Sequence, residues 1–552
     1  MSLEERRNLN KAQARLGSVP RARGGAVHAP MSTMTSDTAE APSSPTTPAS
    51  PTTPAAPAGE AGHVPLLVVG GGPAGLTAAV AAGKRGIKPL VLEADHCVGG
   101  ISRTETYRGY GFDMGGHRFF TKSQEVKDLW YELLGDDFLT RPRLSRIYYN
   151  AKFFSYPLKP FDALKNLGLY ESSFLMASYV RWKLFPHKKE ENFEEWVVNR
   201  FGRRLFRTFF KTYTEKVWGV STTELRADWA AQRIKDLSLK KAVLGGIVKP
   251  KHGQIKTLIE KFEYPRRGPG QLWKAAADRV EADGGEVRLD TPVETIHREG
   301  TRVTGVTTAT GERIGCDKLV SSMPLTTLVR KLDPPAPLAV KEAAVSLKYR
   351  DYLTVCLIVD DPEPFPDNWV YVHDPRVKVG RVQNFKNWSE HMVPEADRAT
   401  RTSLGMEYFC NVGDELWEMT DRELIELATQ EIEEIGLIDK GKVVDGIVYR
   451  VPKSYPVYDE HYAGHVETIR AYVESFDNML TIGRNGLHRY NNQDHSMLTA
   501  LRAVDMLYDG ESHDLWKINA DDDYHEEVRT DDQGPGRNAP GRNSPAPAAE
   551  SA

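Results

Sequence analysis

The residues best placed to do chemistry begin at Gly70. Leu66-Leu67-Val68-Val69 is an apolar run of the kind a buried parallel strand needs, and Gly70, Gly72 and Gly75 follow it in the spacing G-x-G-x-x-G. Each glycine has a physical task. Gly70 permits the tight turn, Gly72 lets backbone approach a pyrophosphate, and Gly75 lets the next helix pack close to the strand. Ala78 to Ala82 continue as that helix, whose N-terminus offers free N–H groups to phosphates. A second strand, Pro89 to Leu92, ends in Glu93, 18 residues after Gly75, where an acid binds a ribose hydroxyl. The glycine pattern alone is weak; strand, glycines, helix, strand and acid together predict a dinucleotide site.

Two further glycine loops follow. One is Gly99-Gly100-Ile101-Ser102-Arg103-Thr104, and the other runs from Gly111 to Phe120 through Gly115-Gly116-His117. Paired glycines let backbone lie against a flat ligand, and two such loops after the ribose acid fit a ligand longer than NAD. Here the chain resembles the FAD-containing superfamily of amine oxidases, phytoene desaturases, protoporphyrinogen oxidases and UDP-galactopyranose mutases. The resemblance implies FAD as the cofactor, cradled by Gly100, Ser102, Arg103 and Gly116. It also implies that Val293 holds the adenine end through its backbone. His117 by itself reads as a turn histidine; within the resemblance it shapes the flavin face and joins the catalytic set.

The stretch from Tyr213 to Gly219, continuing to Gln232-Arg233-Ile234, resembles the mutase family, and its eukaryotic-type branch most closely. There the tryptophan of the Val217-Trp218 pair lines the nucleotide-sugar site, and an arginine fifteen residues later, Arg233, holds the substrate diphosphate. Gly380 to Ser389 resembles the mutase strand whose arginine, Arg381, is the second diphosphate ligand; Asn387 in the same stretch is assigned to the substrate. Tyr455-Pro456 resembles the family's Tyr-Pro pair, whose tyrosine touches phosphate. The closing motif, Leu480 to Met497, adds Arg484 and Tyr490 to the substrate set and Gly483, Asp494 and Ser496 to the cofactor set. A helix from Ser496 would bring a second helix N-terminus to the flavin. Three arginines and two tyrosines suit a diphosphate, because guanidinium forks match phosphate oxygens and phenols add neutral donors.

The resemblance thus implies a flavin-dependent mutase of a nucleotide-diphosphate sugar. It would interconvert pyranose and furanose forms through an adduct at flavin N5, with no net redox change. Reduced FAD is the implied active form, NADPH or NADH the implied reductant, and no metal is expected. The alternatives are an FAD-dependent oxidase or desaturase of an amine, carotenoid or porphyrin, and a flavin-binding scaffold without catalysis. Affinity for a nucleoside diphosphate separates them. The sequence names neither base nor sugar, and UDP-galactose is only the default.

The elements that must position these residues are legible more coarsely. A chain of 552 residues exceeds one core, so two or three domains are expected. Hydrophobic content of 40% is ample for packing, and a net charge of -4 points away from nucleic acid and anionic membrane as main partners. Cys97, Cys316, Cys356 and Cys410 form no metal or redox spacing, which favours the cytoplasm. Residues 1–63 and 516–552 read as disordered leader and tail, with Met31 or Met34 as alternative starts.

Between them the expected fold class is α/β. A Rossmann-like FAD domain is assembled from the discontinuous segments 64–146, 251–325 and 476–515. A helical substrate domain covers 147–250, beginning with a hairpin over 147–157, and a mixed β-sheet domain covers 326–475. Its expected strands are Leu353–Val359, Trp369–Val372, Thr402–Phe409 and Val443–Val451. The apolar segment Gly168–Phe185 reads as a core or dimer-facing helix, allowing a homodimer, with a monotopic membrane helix as the alternative. No run reaches the 18 or so apolar residues of a transmembrane helix.

Overall fold

The computed structural model describes residues 60–156, 158, 160–227, 256–258, 260–518 and 527–529. Strand β1 (Glu60–Val69) leads through Gly70–Gly72 into helix α1 (Pro73–Gly83), and β2 (Pro89–Leu92) follows. β1 starts inside the stretch expected to be leader, because Glu60 and Ala61 still pair with Arg313 and Ile314. It belongs to an eight-stranded sheet in which Val68 lies in parallel register between Val91 and Val320, and Val320 pairs in turn with Leu480. Leu66, Leu67, Val68, Val91 and Val320 are fully buried, which explains the unbroken apolar runs. Three separated stretches of chain therefore build one sheet, the discontinuous α/β arrangement expected.

α1 carries no polar face because it is covered on all sides; every residue from Ala74 to Ala82 is buried. Pro73 opens it, where a missing N–H costs nothing. Gly75 sits against the turn so closely that a Cβ there would stand 1.8 Å from the Gly70 carbonyl oxygen.

The helical region comprises α2 (Pro160–Leu167), α3 (Leu169–Leu184), α4 (Phe193–Phe201) and a run from Arg203 to Trp218 containing a π-turn at Arg207–Lys211. Its core is aromatic: Phe193, Trp196, Phe201, Phe206 and Phe209 are all buried. α3 does not follow the core reading. Only Leu175 is buried on it, while Leu169, Tyr170, Phe174 and Val180 are exposed, since its apolar residues wind around the helix instead of forming one stripe. Among the described residues no helix is long and apolar enough to cross a membrane.

The second sheet is seven-stranded and mixed. Its strands include Tyr349–Val359, Trp369–Val372, β3 (Arg381–Asn384), Thr402–Cys410 and β4 (Val443–Pro456). The expected hairpin forms at Ser145–Tyr149 and Lys152–Ser155, but it completes this sheet instead of opening the helical region. Ser145–Tyr149 pairs in parallel with Trp369–Val372, so that Tyr148, Val370 and Val372 share one core. β4 runs past the expected end at Val451, which puts Tyr455 on the strand. Helix α5 (Gln493–Val504) begins before Ser496, because Asn492 caps it in a reciprocal box with His495.

The Gly75 contact yields a test. Gly75→Ala should destabilise the protein by about 1–3 kcal/mol through overpacking, read as a thermal unfolding midpoint lower by several degrees. An unchanged midpoint would show that helix and turn are not in contact there.

Candidate functional site

The carboxyl ends of four parallel strands meet at one cavity of about 960 Å³. Val69 and Gly70 after β1, Leu92 and Glu93 at the end of β2, Ser322 after Arg313–Ser321, and Gly483 after Met479–Thr481 all line it. This is the edge at which open α/β sheets bind ligands. Gly72, Pro73 and Ala74 bring the N-terminus of α1 to the same wall. Gly75 does not line the cavity; it is the packing glycine.

Glu93 accepts hydrogen bonds from the N–H groups of Gly71 and, at 2.9 Å, Asp95. Burial raises its pKa against those bonds. Ser102, Arg103, Gly100 and Gly116 line the cavity, as do Val293, Asp494 and Ser496. Arg103 is tied to Glu105 at 2.6 Å and to the Gly100 carbonyl at 3.1 Å. Ser102 Oγ donates to Gln493 Oε1 at 3.2 Å, joining the Gly99–Thr104 loop to α5. Burial pushes Asp494, in the first turn of α5, up to about 7. A Cβ at Gly116 would lie 2.8 Å from Gln383 Nε2, so a side chain there would require the Gln383 amide to shift.

The opposite character appears around the arginines. Trp218, Tyr455 and Tyr490 form an aromatic group, with Tyr455 and Tyr490 stacked at 5.7 Å and Trp218 6.1 Å from each. Arg484 lies 4.7 Å and 4.2 Å from the centres of the Tyr455 and Tyr490 rings. Its Nε and Nη2 are buried without a hydrogen-bond partner among the described residues, and it has no carboxylate partner there. Arg381, at the start of β3, pairs with the buried carboxylate of Glu407 at 3.2 Å, while its Nε has no partner among the described residues. Burial works against the Arg381 charge, but Glu407 and the surrounding phenols hold its pKa well above the ordinary value. Burial pushes the Tyr455 phenol up to about 12, so it stays a neutral donor at pH 7.

His117 is half-buried, with Nε2 2.9 Å from the Met114 carbonyl oxygen. Burial, helped by Arg484 and Arg381, drives its pKa down to about 4. The imidazole is therefore neutral and orienting, not a proton donor, at neutral pH.

The cavity thus brings together His117, Trp218, Arg381, Tyr455, Arg484 and Tyr490. Asn387 does not join them. Its amide donates to the carbonyls of Phe365 and Asp367 at 2.9 and 2.8 Å, fixing a loop beside the short helix that follows β3. Arg233 lies outside the described residues. The sequence reading did not assign Glu407, Gln383, Tyr213 or His373 to the site. Glu407 orients Arg381 and accepts from Gln383 Nε2 at 2.9 Å, and Tyr213 stacks on His373 at 4.5 Å. A buried arginine implies a buried acid, but nothing local in the sequence singles out Glu407. The side chains of His96, Cys97 and Glu105 also approach one another within 4.8 Å, although Glu105 is already paired with Arg103.

The buried histidines give a pH test. Burial, with Lys216 nearby, lowers His373 to about 3. An unfolded histidine titrates near 6.5, so between these values the unfolded chain binds more protons, and this stabilising contribution is lost as pH falls. Asp113 and Asp494, raised to about 7, act with the opposite sign. His373→Asn should therefore remove about 2–3 kcal/mol of the stability that wild type loses between pH 6.5 and 4. Parallel denaturation curves for both proteins across that range would show that His373 is not held neutral.

Comparison with known proteins places this geometry in context. Residues 73–463 match the family described as flavin containing amine oxidoreductase. The phytoene desaturase (neurosporene-forming) of Cereibacter sphaeroides is 26% identical over 284 residues, covering 46% of this chain and 52% of its own length. The dTDP-fucopyranose mutase of Escherichia coli is 26% identical over 173 residues, covering 29% of this chain and 44% of its own. The chain thus spans about half the length of the curated relatives it matches. Among solved structures, a reduced UDP-galactopyranose mutase aligns with TM-score 0.72 at 21% identity, covering 83% of this chain and 98% of that one. Putrescine oxidase bound to putrescine aligns with TM-score 0.55 at 16% identity, covering 80% and 98%. At such identities the structural likeness is one of fold. The family match spans well over half of the sequence, and the chain belongs to the flavin containing amine oxidoreductase family.

Proposed function

We propose that this protein is a flavin-dependent mutase of a sugar carried on a diphosphate, interconverting its pyranose and furanose forms. The observation that carries this reading is the pair of half-buried arginines, Arg381 and Arg484, whose buried nitrogen donors lack partners among the described residues, in the cavity that the glycine turn and the α1 N-terminus also line. Two relatives, a UDP-galactopyranose mutase and a dTDP-fucopyranose mutase, support it and make a nucleotide the default carrier. Within the mutases we favour the eukaryotic-type branch, on the motifs around Trp218 and Tyr490.

The residues present fit FAD. A Cβ at Gly72 would find its nearest protein atom, Gly100 Cα, at 3.8 Å, so the protein leaves room there that a ligand can use. Gly72 and the α1 N-terminus would hold the pyrophosphate, Glu93 the ribose, Val293 the adenine end, and Gly483 with the first turn of α5 the flavin end. We read the three segments of the eight-stranded sheet as one cofactor domain. Bound in reduced form, with NADPH or NADH as reductant, FAD would supply an electron-rich centre for substitution at the anomeric carbon.

The protein's own part is orientation and charge. Arg381 and Arg484 bind the diphosphate, stabilise the charge it gains on leaving, and keep it within reach for return. Arg233 is proposed as a third ligand. Tyr455 and Tyr490 add neutral donors, and with Trp218 they exclude water. His117 holds the loop at Met114 against the flavin face. A second reading, an oxidase or desaturase, draws on the desaturase relative and on the apolar portion of the cavity wall.

Three outcomes test the proposal. Gly72→Val should leave the apoprotein's melting midpoint near wild type yet abolish co-purifying flavin; normal flavin content would refute the cofactor placement. After one anaerobic reduction and removal of excess dithionite, the enzyme should form many products per flavin from a sugar diphosphate. Arg484→Ala, which strands no carboxylate, should lower kcat/KM about 30- to 1000-fold, the 2–4 kcal/mol of a lost charged contact. Product stopping at one per flavin, or forming only with oxidised enzyme and oxygen, would favour the oxidase.

A further inference from the structure

The cavity has two kinds of wall, and only one suits a diphosphate. Beyond the arginines it continues along the run Arg203–Trp218, where Leu205, Phe209, Phe210, Tyr213, Val217 and Trp218 all face it. From Trp218 back to Leu205 this face extends roughly 20 Å at the rise of a helix. The π-turn at Arg207–Lys211 brings the consecutive Phe209 and Phe210 to the same wall. The facing wall is Ala163, Leu164 and Leu167 of α2, Leu175 and Met176 of α3, and Phe201 of α4. Among the described residues of the helical region, none with a charged or amide side chain lines the cavity. The hydroxyls there belong to Tyr213 and Thr214, next to Trp218, at the arginine end.

A nucleobase brings ring nitrogens and carbonyls that need partners; beyond His373 and Tyr371, which pack on Tyr213, the arm offers hydrocarbon among the described residues. A long apolar chain needs only the exclusion of water, which these walls supply. The arm also reaches the surface layer. Met176 lines it and is 39% exposed, and its neighbours on α3, Leu169, Tyr170, Phe174 and Val180, are exposed apolar residues. Scattered exposed apolar residues are ordinary; a helix of them at the end of an apolar channel fits a chain that continues outward.

We propose that the sugar is carried on an isoprenoid diphosphate, with the diphosphate at Arg381 and Arg484 and the isoprenoid chain in the arm between α2, α3, α4 and the Arg203–Trp218 run. This rests on the mutase reading and replaces only its default carrier.

The experiment is equilibrium binding to the flavin-loaded, reduced full chain, with each probe below its aggregation concentration. The probes are geranylgeranyl diphosphate, UDP, dTDP, inorganic diphosphate and geranylgeraniol. Geranylgeranyl diphosphate should bind at least tenfold more tightly than UDP, dTDP or geranylgeraniol. Ala163→Phe, which fills the arm, should weaken it at least tenfold while leaving inorganic diphosphate unchanged, with flavin content reporting folding. Arg484→Ala should weaken both diphosphates. UDP or dTDP binding as tightly as the isoprenoid diphosphate would overturn the carrier assignment and leave the mutase reading standing. Geranylgeraniol binding as tightly as its diphosphate, with no effect of Arg484→Ala, would overturn both and favour an oxidised or desaturated hydrocarbon substrate. Failure of every probe to bind would overturn the proposal as well.

Discussion

Everything at the site depends on backbone approaching backbone where no Cβ intervenes. Gly75 lets α1 rest on the Gly70 carbonyl, and that contact aims the helix N-terminus at the cavity. Gly483 repeats the device from far along the chain: a Cβ there would stand 2.7 Å from Ala74 Cβ. Two glycines thus bring the end of the eight-stranded sheet's last strand in the chain onto the first turn of the first described helix. Substituting either with a larger residue would do more than remove a flexible hinge. It would push apart the walls that converge on the cavity, because close-packed interiors relax only partly.

The second constraint is electrostatic. A guanidinium away from water needs an anion, or its burial is costly. Arg381 has Glu407, itself buried and held by Gln383, so its position is fixed before any ligand arrives. Arg484 instead lies over two tyrosine rings, whose π faces offset part of the desolvation while leaving its Nε and Nη2 donors unused. One arginine is anchored and the other is poised, and together they present preorganised donors to a negatively charged group. The same positive field explains why His117 stays neutral, since Arg484 and Arg381 add to the effect of burial on its imidazole.

How much of this was legible in the sequence follows from how local each signal is. The strand–glycine–helix–strand–acid unit depends on neighbours in the chain, and β1, α1, β2 and Glu93 lie where the pattern predicts. Trp218, Arg381, Tyr455, Arg484 and Tyr490, which the motifs single out, line one cavity. Asn387 belonged to a motif too, but its amide turns to the Phe365–Asp367 loop, and no local pattern reports which way a side chain faces. Glu407 escaped because its partner is contributed by another strand across the sheet, β3. The hairpin at Ser145–Ser155 was legible as a hairpin, but not as the edge of a sheet built mostly from residues two hundred positions later. For α3 the composition was read correctly as apolar, while its exposure depends on what packs around it.

The cavity's asymmetry follows from its construction. Strand ends and glycine turns expose backbone N–H groups and place single charged side chains at fixed points, which suits a large polar cofactor and a charged leaving group. Helix faces expose rows of side chains, and here those rows are Leu, Phe, Ala and Met. On the proposed reading, the part of the substrate that meets the strands is constrained by the cofactor it must reach. The part that meets the helices is constrained only by which residues α2, α3 and α4 carry. On the proposed reading, the chemistry is set at the sheet and the choice of molecule at the helices.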